Sequence, residues 1–377
     1  MHKSMTIVRI GWIDALRAML IVLVVAGHVF GMVSHYVPTA DRSFYDLLFK
    51  IIYSFHMPAF FMLAGLMTSD SLQAMPVAFQ VKKLFKRLLV PYFFWGFVGA
   101  AVYTFAMPYF GNASVDSTGY YARFTGYDWW HPYASLLYGA AFPGTDGFRC
   151  NSVLWFLPCL FSVKLVGILF LRLISPSSRS AYSTILLIII IGLLGWASRF
   201  LKIPPLPYGL SKLLWYFPFF LIGYRLRLVV FDSAASGLFA KLLFRRIACC
   251  LILAVFAILV WRLPNDTVYF SIYLMWYIVE VVLGVLGAVL CMGVAMSMPI
   301  CCSRVSLSIS MNSIGIMFLH KYIVLAIMLI PTIKSLLFQS LSVGIMISVL
   351  VIIVSTAAAC VISACARRFV PWTIGVF

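Results

Sequence analysis

Apolar runs of about 20 residues recur along the whole chain, separated by short polar gaps. Coiled as an α-helix, a run of that length crosses the roughly 30 Å of hydrocarbon in a bilayer. The pattern predicts helices at about 12–33, 47–67, 88–108, 152–173, 182–200, 213–230, 246–262, 272–296, 310–331 and 341–366. Of the 377 residues, 64% are hydrophobic and 10% charged. A water-soluble globule of that size needs far more charge on its surface. The predicted class is an all-α polytopic membrane protein of about ten transmembrane helices. It reads as a single domain over 1–377, without internal repeat or soluble domain. The first run follows a short polar leader and lacks a small-residue cleavage site, so it is expected to be a retained helix and not a signal peptide.

Charge changes the picture by giving it an orientation. The net charge is +18, but the basic residues lie mostly in the gaps, which is a membrane pattern and excludes a nucleic-acid partner. With the N-terminus cytoplasmic, 16 Lys and Arg fall inside and 9 outside, with Arg17, Lys164 and Lys321 inside spans. Both termini are therefore expected in the cytoplasm, although the outside gap 199–212 carries three basic residues against the rule. Most of the nine cysteines sit in apolar runs with no Cys-x-x-Cys spacing, so neither a disulfide framework nor a metal site is expected.

Candidate chemistry begins with the charges inside the spans. The stretch "RIGWIDALRAMLIVLVVAGHVF" carries Asp14, Arg17 and His28. Eleven residues at about 100° each bring Arg17 and His28 to one helix face, about 16 Å apart along the axis. Asp14 precedes Arg17 by three residues, within pairing reach. Such a face must turn inward, since lipid would not accept it. His56, Glu280 (the only glutamate of the chain) and His320 are expected at comparable depth. One intramembrane histidine alone would read as a polar group gluing helices; several titratable groups in so apolar a chain read as a site. Ahead of the third span, Lys82, Lys83, Lys86 and Arg87 suit a phosphorylated ligand, although such clusters also set topology and attract anionic lipid. The long outside gap of about 109–151 holds Trp129, Trp130 and Tyr133. Those rings could stack on sugars or simply line the membrane interface.

These residues, in this order, resemble the membrane acyltransferase-3 family. Arg17 and His28 on the first helix are followed by "FHMPAFFMLAGL", by the basic cluster leading into "RLLVPYF", and by "SVLWFLPCLF", "WYFPFFLIGYRLR" and "SIGIMFLHKYIV". The likeness is greatest to standalone members of the fucose 4-O-acetylase or surface-polysaccharide O-acetyltransferase type. It implies a multi-pass protein of the bacterial inner membrane that moves an acyl group, usually acetyl, from acetyl-CoA to a glycan hydroxyl on the extracytoplasmic side. The acceptor would be an O-antigen, an exopolysaccharide or an undecaprenyl-linked saccharide.

The resemblance implies that Arg17 and His28 are essential; Asp14, His56 and Glu280 are the candidate supporting groups by spacing and depth. Donor contacts would fall to Arg17, Lys82, Lys83, Lys86 and Arg87, and acceptor contacts to Trp129, Trp130 and His320. The family's two arginines three apart are replaced here by Lys83 with Lys86, or Lys83 with Arg87, which keeps charge but loses the guanidinium fork. Membrane lipid and a glycan are the expected partners, no metal is expected, and a homo-oligomer stays open. His28 is expected to act either as general base or as the nucleophile of an acyl-histidine. A flippase for lipid-linked glycans is the alternative from another class; the lack of repeat symmetry and of matched broken helices counts against it.

Overall fold

The computed structural model describes residues 10–68, 75–110, 130–140, 152–173, 181–201, 203–231, 253, 255–260, 274–297 and 303–377. Among them every regular element is a helix. The long ones are α1 (Gly11–Val33), α2 (Thr39–Leu66), α4 (Val90–Phe110), α6 (Phe156–Leu173), α7 (Ala181–Phe200), α8 (Leu210–Phe231), α9 (Leu274–Ser297), α11 (Ser313–Met328) and α13 (Leu341–Phe369). Shorter are α3 (Val77–Leu84), α5 (His131–Tyr138), α10 (Ser303–Met311) and α12 (Pro331–Leu337). Seven of the described helices are long and apolar enough to cross a membrane, or eight if α10 and α11 form one bent span. Two further expected spans correspond to the 22-residue α8 and to the helical turn at 255–260. Most of the expected helix 246–262 lies outside the described residues.

Helix α1 sits at the centre, packed against α2, α9, α10, α11 and α13. Its buried positions run nearly all round the helix, including Leu16, Leu20, Val25, Val29 and Val33. At the periphery, α7 turns Tyr182, Ile185, Leu186, Ile189 and Ile190 outward, the surface a helix shows to lipid. The tightest seam joins α2 to α8. A methyl group added at Gly65 would strike the carbonyl of Phe220, and one at Gly223 the carbonyl of Met62. Two bare backbones therefore touch, the close approach that small residues permit between membrane helices.

Three expectations on element bounds are corrected. The second helix begins at Thr39, eight residues before the expected start, because its first two turns carry Asp41, Arg42 and Asp46 and so fall outside the apolar run. Instead of a gap followed by a span from 88, the chain is helical from Val77, with a π-helical stretch at Phe85–Leu89 between α3 and α4. The basic cluster therefore rides on a helix. The expected single helix 310–331 is broken: α10 and α11 meet at 79° around Asn312. Asn312 Nδ2 donates to the carbonyl of Ser308 (2.8 Å), and Ser363 Oγ donates to Asn312 Oδ1 (3.2 Å). Side-chain bonds of this kind replace the helical ladder where it is interrupted inside a membrane. The long gap of about 109–151 also contains structure. Helix α5 docks on α4, where Tyr92 donates to the carbonyl of Leu136 at 2.7 Å.

Candidate active site

The geometry of α1 holds as the spacing requires, and two polar clusters form along its inward face. At the first, Asp14 is buried and its Oδ1 accepts from Ser310 Oγ at 2.7 Å. Arg17 Nη1 donates to the same hydroxyl at 3.3 Å and lies 3.8 Å from Asp14 Oδ1. Ser310 stands near the end of α10, just before the Asn312 break, so the bend delivers a hydroxyl between an acid and a guanidinium.

Lys164 on α6 lies within electrostatic reach of Arg17, Lys83 and Arg87. Helices α1, α3 and α6 and the π-helical stretch thus bring four cations to one end of the bundle. Only Asp14, paired with Arg17, offsets them among these groups, and Arg87 is exposed, so the cluster presents an excess of positive charge that an arriving anion can meet. Of the other two expected donor residues, Lys86 has its ammonium 5.1 Å from the ring of Phe377, and Lys82 is exposed. Gly375, in the left-handed region at φ 74°, packs on the carbonyl of Arg87, so the last residues lie directly against the basic π-helical stretch.

The second cluster surrounds His28. The ring of His320 on α11 lies 5.2 Å from that of His28, centroid to centroid. On another side, Tyr53 of α2 places its hydroxyl 3.5 Å from His28 Nδ1, at the outer limit of a hydrogen bond. Tyr53 comes this close because Gly27 has no side chain; a methyl group there would lie 2.9 Å from the Tyr53 ring. The ring of His56 follows at 4.7 Å from Tyr53. Three imidazoles and a phenol therefore form one chain, His320–His28–Tyr53–His56.

His56 and His320 are each held the same way, with Nδ1 2.8 Å from the carbonyl four residues earlier, Ile52 and Ile316. A carbonyl only accepts, so both Nδ1 atoms carry hydrogen. In His320 the other nitrogen, Nε2, is buried and lacks a hydrogen-bond partner. Lys321, buried beside it, is within electrostatic reach of both His28 and His320.

Glu280 stands elsewhere. Its carboxylate pairs with Arg199 of α7 at 3.3 Å, and that guanidinium lies 3.5 Å above the ring of Trp215. The groups acting on His28 are His320, Lys321 and His56, not Glu280. Trp130 is exposed at the start of α5, and Trp129 falls outside the described residues. Among the described residues no three His, Cys, Asp or Glu side chains gather closely enough to hold a metal ion.

Sequence reasoning passed over Tyr53, Lys164, Ser310 and Lys321. Lys164 and Lys321 carried a signal, as charges inside spans; Tyr53 and Ser310 carried none.

Searches among curated proteins and solved structures return no match. One family model, an acyltransferase domain, matches residues 10–364, nearly the whole chain. An all-helical, multi-span bundle and that match agree: the chain belongs to the membrane acyltransferase-3 family.

Proposed function

We propose that this membrane acyltransferase takes an acyl group, acetyl in the first instance, from coenzyme A at the Arg17 end of the bundle. It passes the group to a hydroxyl of a cell-surface or undecaprenyl-linked glycan at the His28 end. The setting is a bacterial inner membrane, with the Arg17 end in the cytoplasm.

One observation carries the reading. A single face of α1 links a four-cation cluster to a histidine cluster about 16 Å away. Arg17, Lys83, Arg87 and Lys164 suit the phosphates of the donor, since guanidinium and ammonium groups form charge-assisted bonds to them. An extended pantetheine arm then brings the thioester towards His28.

The sugar oxygen attacks the thioester carbon and its proton passes to His28. The carbon–sulfur bond breaks and the departing thiolate is reprotonated as free coenzyme A. In the other order of events, His28 first takes the acyl group and the sugar resolves it. An acyl adduct trapped on His28 by rapid quench selects the second route.

Membrane vesicles given labelled acetyl-CoA test the function. His28→Ala is expected to abolish label transfer to glycan at unchanged protein level. Transfer that survives the substitution, or its absence in the parent, overturns the reading.

A further inference from the structure

A histidine that must accept a proton needs its lone pair on a known nitrogen, and enzymes set this with a partner on the opposite nitrogen. A carboxylate usually fills that place. Here the one glutamate is engaged by Arg199, and Asp14 is bound to Ser310 at the far end of α1.

What stands beside His28 is His320. Its Nδ1 is committed to the carbonyl of Ile316, so in the neutral ring Nε2 is a lone-pair acceptor. That atom is buried without a partner, an unfavourable state unless something fills it. The nearest ring is that of His28, 5.2 Å away centroid to centroid and tilted by 40°; the two are not bonded as they stand, and turning the His28 ring edge-on brings a nitrogen within hydrogen-bond distance of that atom. The Nδ1 of His28 is met instead by the hydroxyl of Tyr53, at 3.5 Å, a residue that is 38% exposed.

We propose that His320 is the positioning residue of His28, accepting the Nε2–H of His28 on its own Nε2. The lone pair of His28 then lies on Nδ1, facing the Tyr53 hydroxyl. A substrate hydroxyl takes the place of that phenol and gives its proton to Nδ1. The imidazolium so formed keeps its Nε2–H bonded to His320, and the proton leaves with the thiolate. His56 does not fill this role, because Tyr53 stands between it and His28.

The tautomer belongs to His28 and His320 alone; its catalytic consequence rests on the acyl-transfer reading. Two substitutions separate the two nitrogens. His320→Gln keeps an amide near the position of Nε2, whereas His320→Asn keeps one near Nδ1 and the Ile316 carbonyl. The expected result is a kcat about 10²-fold lower in His320→Asn, with KM for acetyl-CoA little changed and most of the rate restored in His320→Gln. A merely structural role through Ile316 gives the reverse order, and equal losses or a change in KM alone likewise overturn the proposal.

A second readout is independent of turnover. In the full chain, histidine-labelled and held in lipid nanodiscs, nitrogen NMR is expected to find His28 Nδ1 bare and Nε2 protonated, mixing in His320→Asn only. A bare Nε2 in the parent refutes the pairing even if acyl transfer is observed. A parent inactive with acetyl-CoA but with Nε2 protonated sinks the functional reading and leaves the pairing standing.

Discussion

Single residues divide into those whose role the spacing foretold and those whose partners only the fold supplies. Glu280 is the clearest case of the second kind. Depth along a helix suggested that it could serve His28, but its carboxylate belongs to Arg199, a residue counted in an outside gap. Glu280→Gln is therefore expected to leave kcat within about threefold of the parent. It should lower stability by about 1 kcal/mol, the scale of a partly exposed ion pair. Thermal unfolding in detergent and a turnover assay on one preparation check both; a collapse of kcat in a fully folded variant would return Glu280 to the chemistry. Arg17 and His28 were legible because helical periodicity alone puts residues eleven apart on one face. Lys164 was visible as a charge within a span, but nothing in a single sequence says which face of α6 meets α1.

The scale of elements shows where pattern fails. The break between α10 and α11 occurs in "SISMNSIGIM", where no proline stands and the residue at the bend is Asn312. Hydropathy reads such a segment as a continuous span, because its average is apolar on both sides. The bend is held by a local bond from Asn312 to Ser308 and by one from Ser363 of α13 to Asn312, and only the second is a tertiary fact. Asn312→Ala removes the side-chain bonds at a cost of about 1–2 kcal/mol and frees the end of α10 that carries Ser310. The expected outcome is a higher KM for the acyl donor through a loosened Arg17, with a smaller effect on kcat. An unchanged KM in a folded Asn312→Ala protein would show that the bend does not position Arg17. The π-helical stretch Phe85–Leu89 carries Lys86 and Arg87. Residues three and four apart share a face of an α-helix, which is why spacing left Lys83–Lys86 and Lys83–Arg87 as equal choices. In the fold, Lys83 and Arg87 share Lys164 as neighbour, whereas Lys86 lies against Phe377.

For the whole molecule the sequence-level class was the easiest part to read, since apolar run length against bilayer thickness leaves few alternatives. The orientation expected from the Lys and Arg bias is open to direct test. Single cysteines replacing Lys86 and Asp41 should react with membrane-impermeant maleimide from opposite sides. Lys86→Cys is expected to label only in inside-out vesicles, and Asp41→Cys only in intact spheroplasts. Labelling in the reverse pattern would place the cationic cluster outside, away from cytoplasmic coenzyme A, and would require a different donor.

The glycine seam between α2 and α8 bears on how the molecule works. Gly65 and Gly223 leave main chain resting on main chain, with no side chain between them to act as a bearing. Rocking one half of the protein past the other would have to shear that junction, so α2 travels only if α8 travels with it. Tyr53 and His56 on α2 are thereby tied through that junction to α8, and any displacement of their helix is a displacement of both.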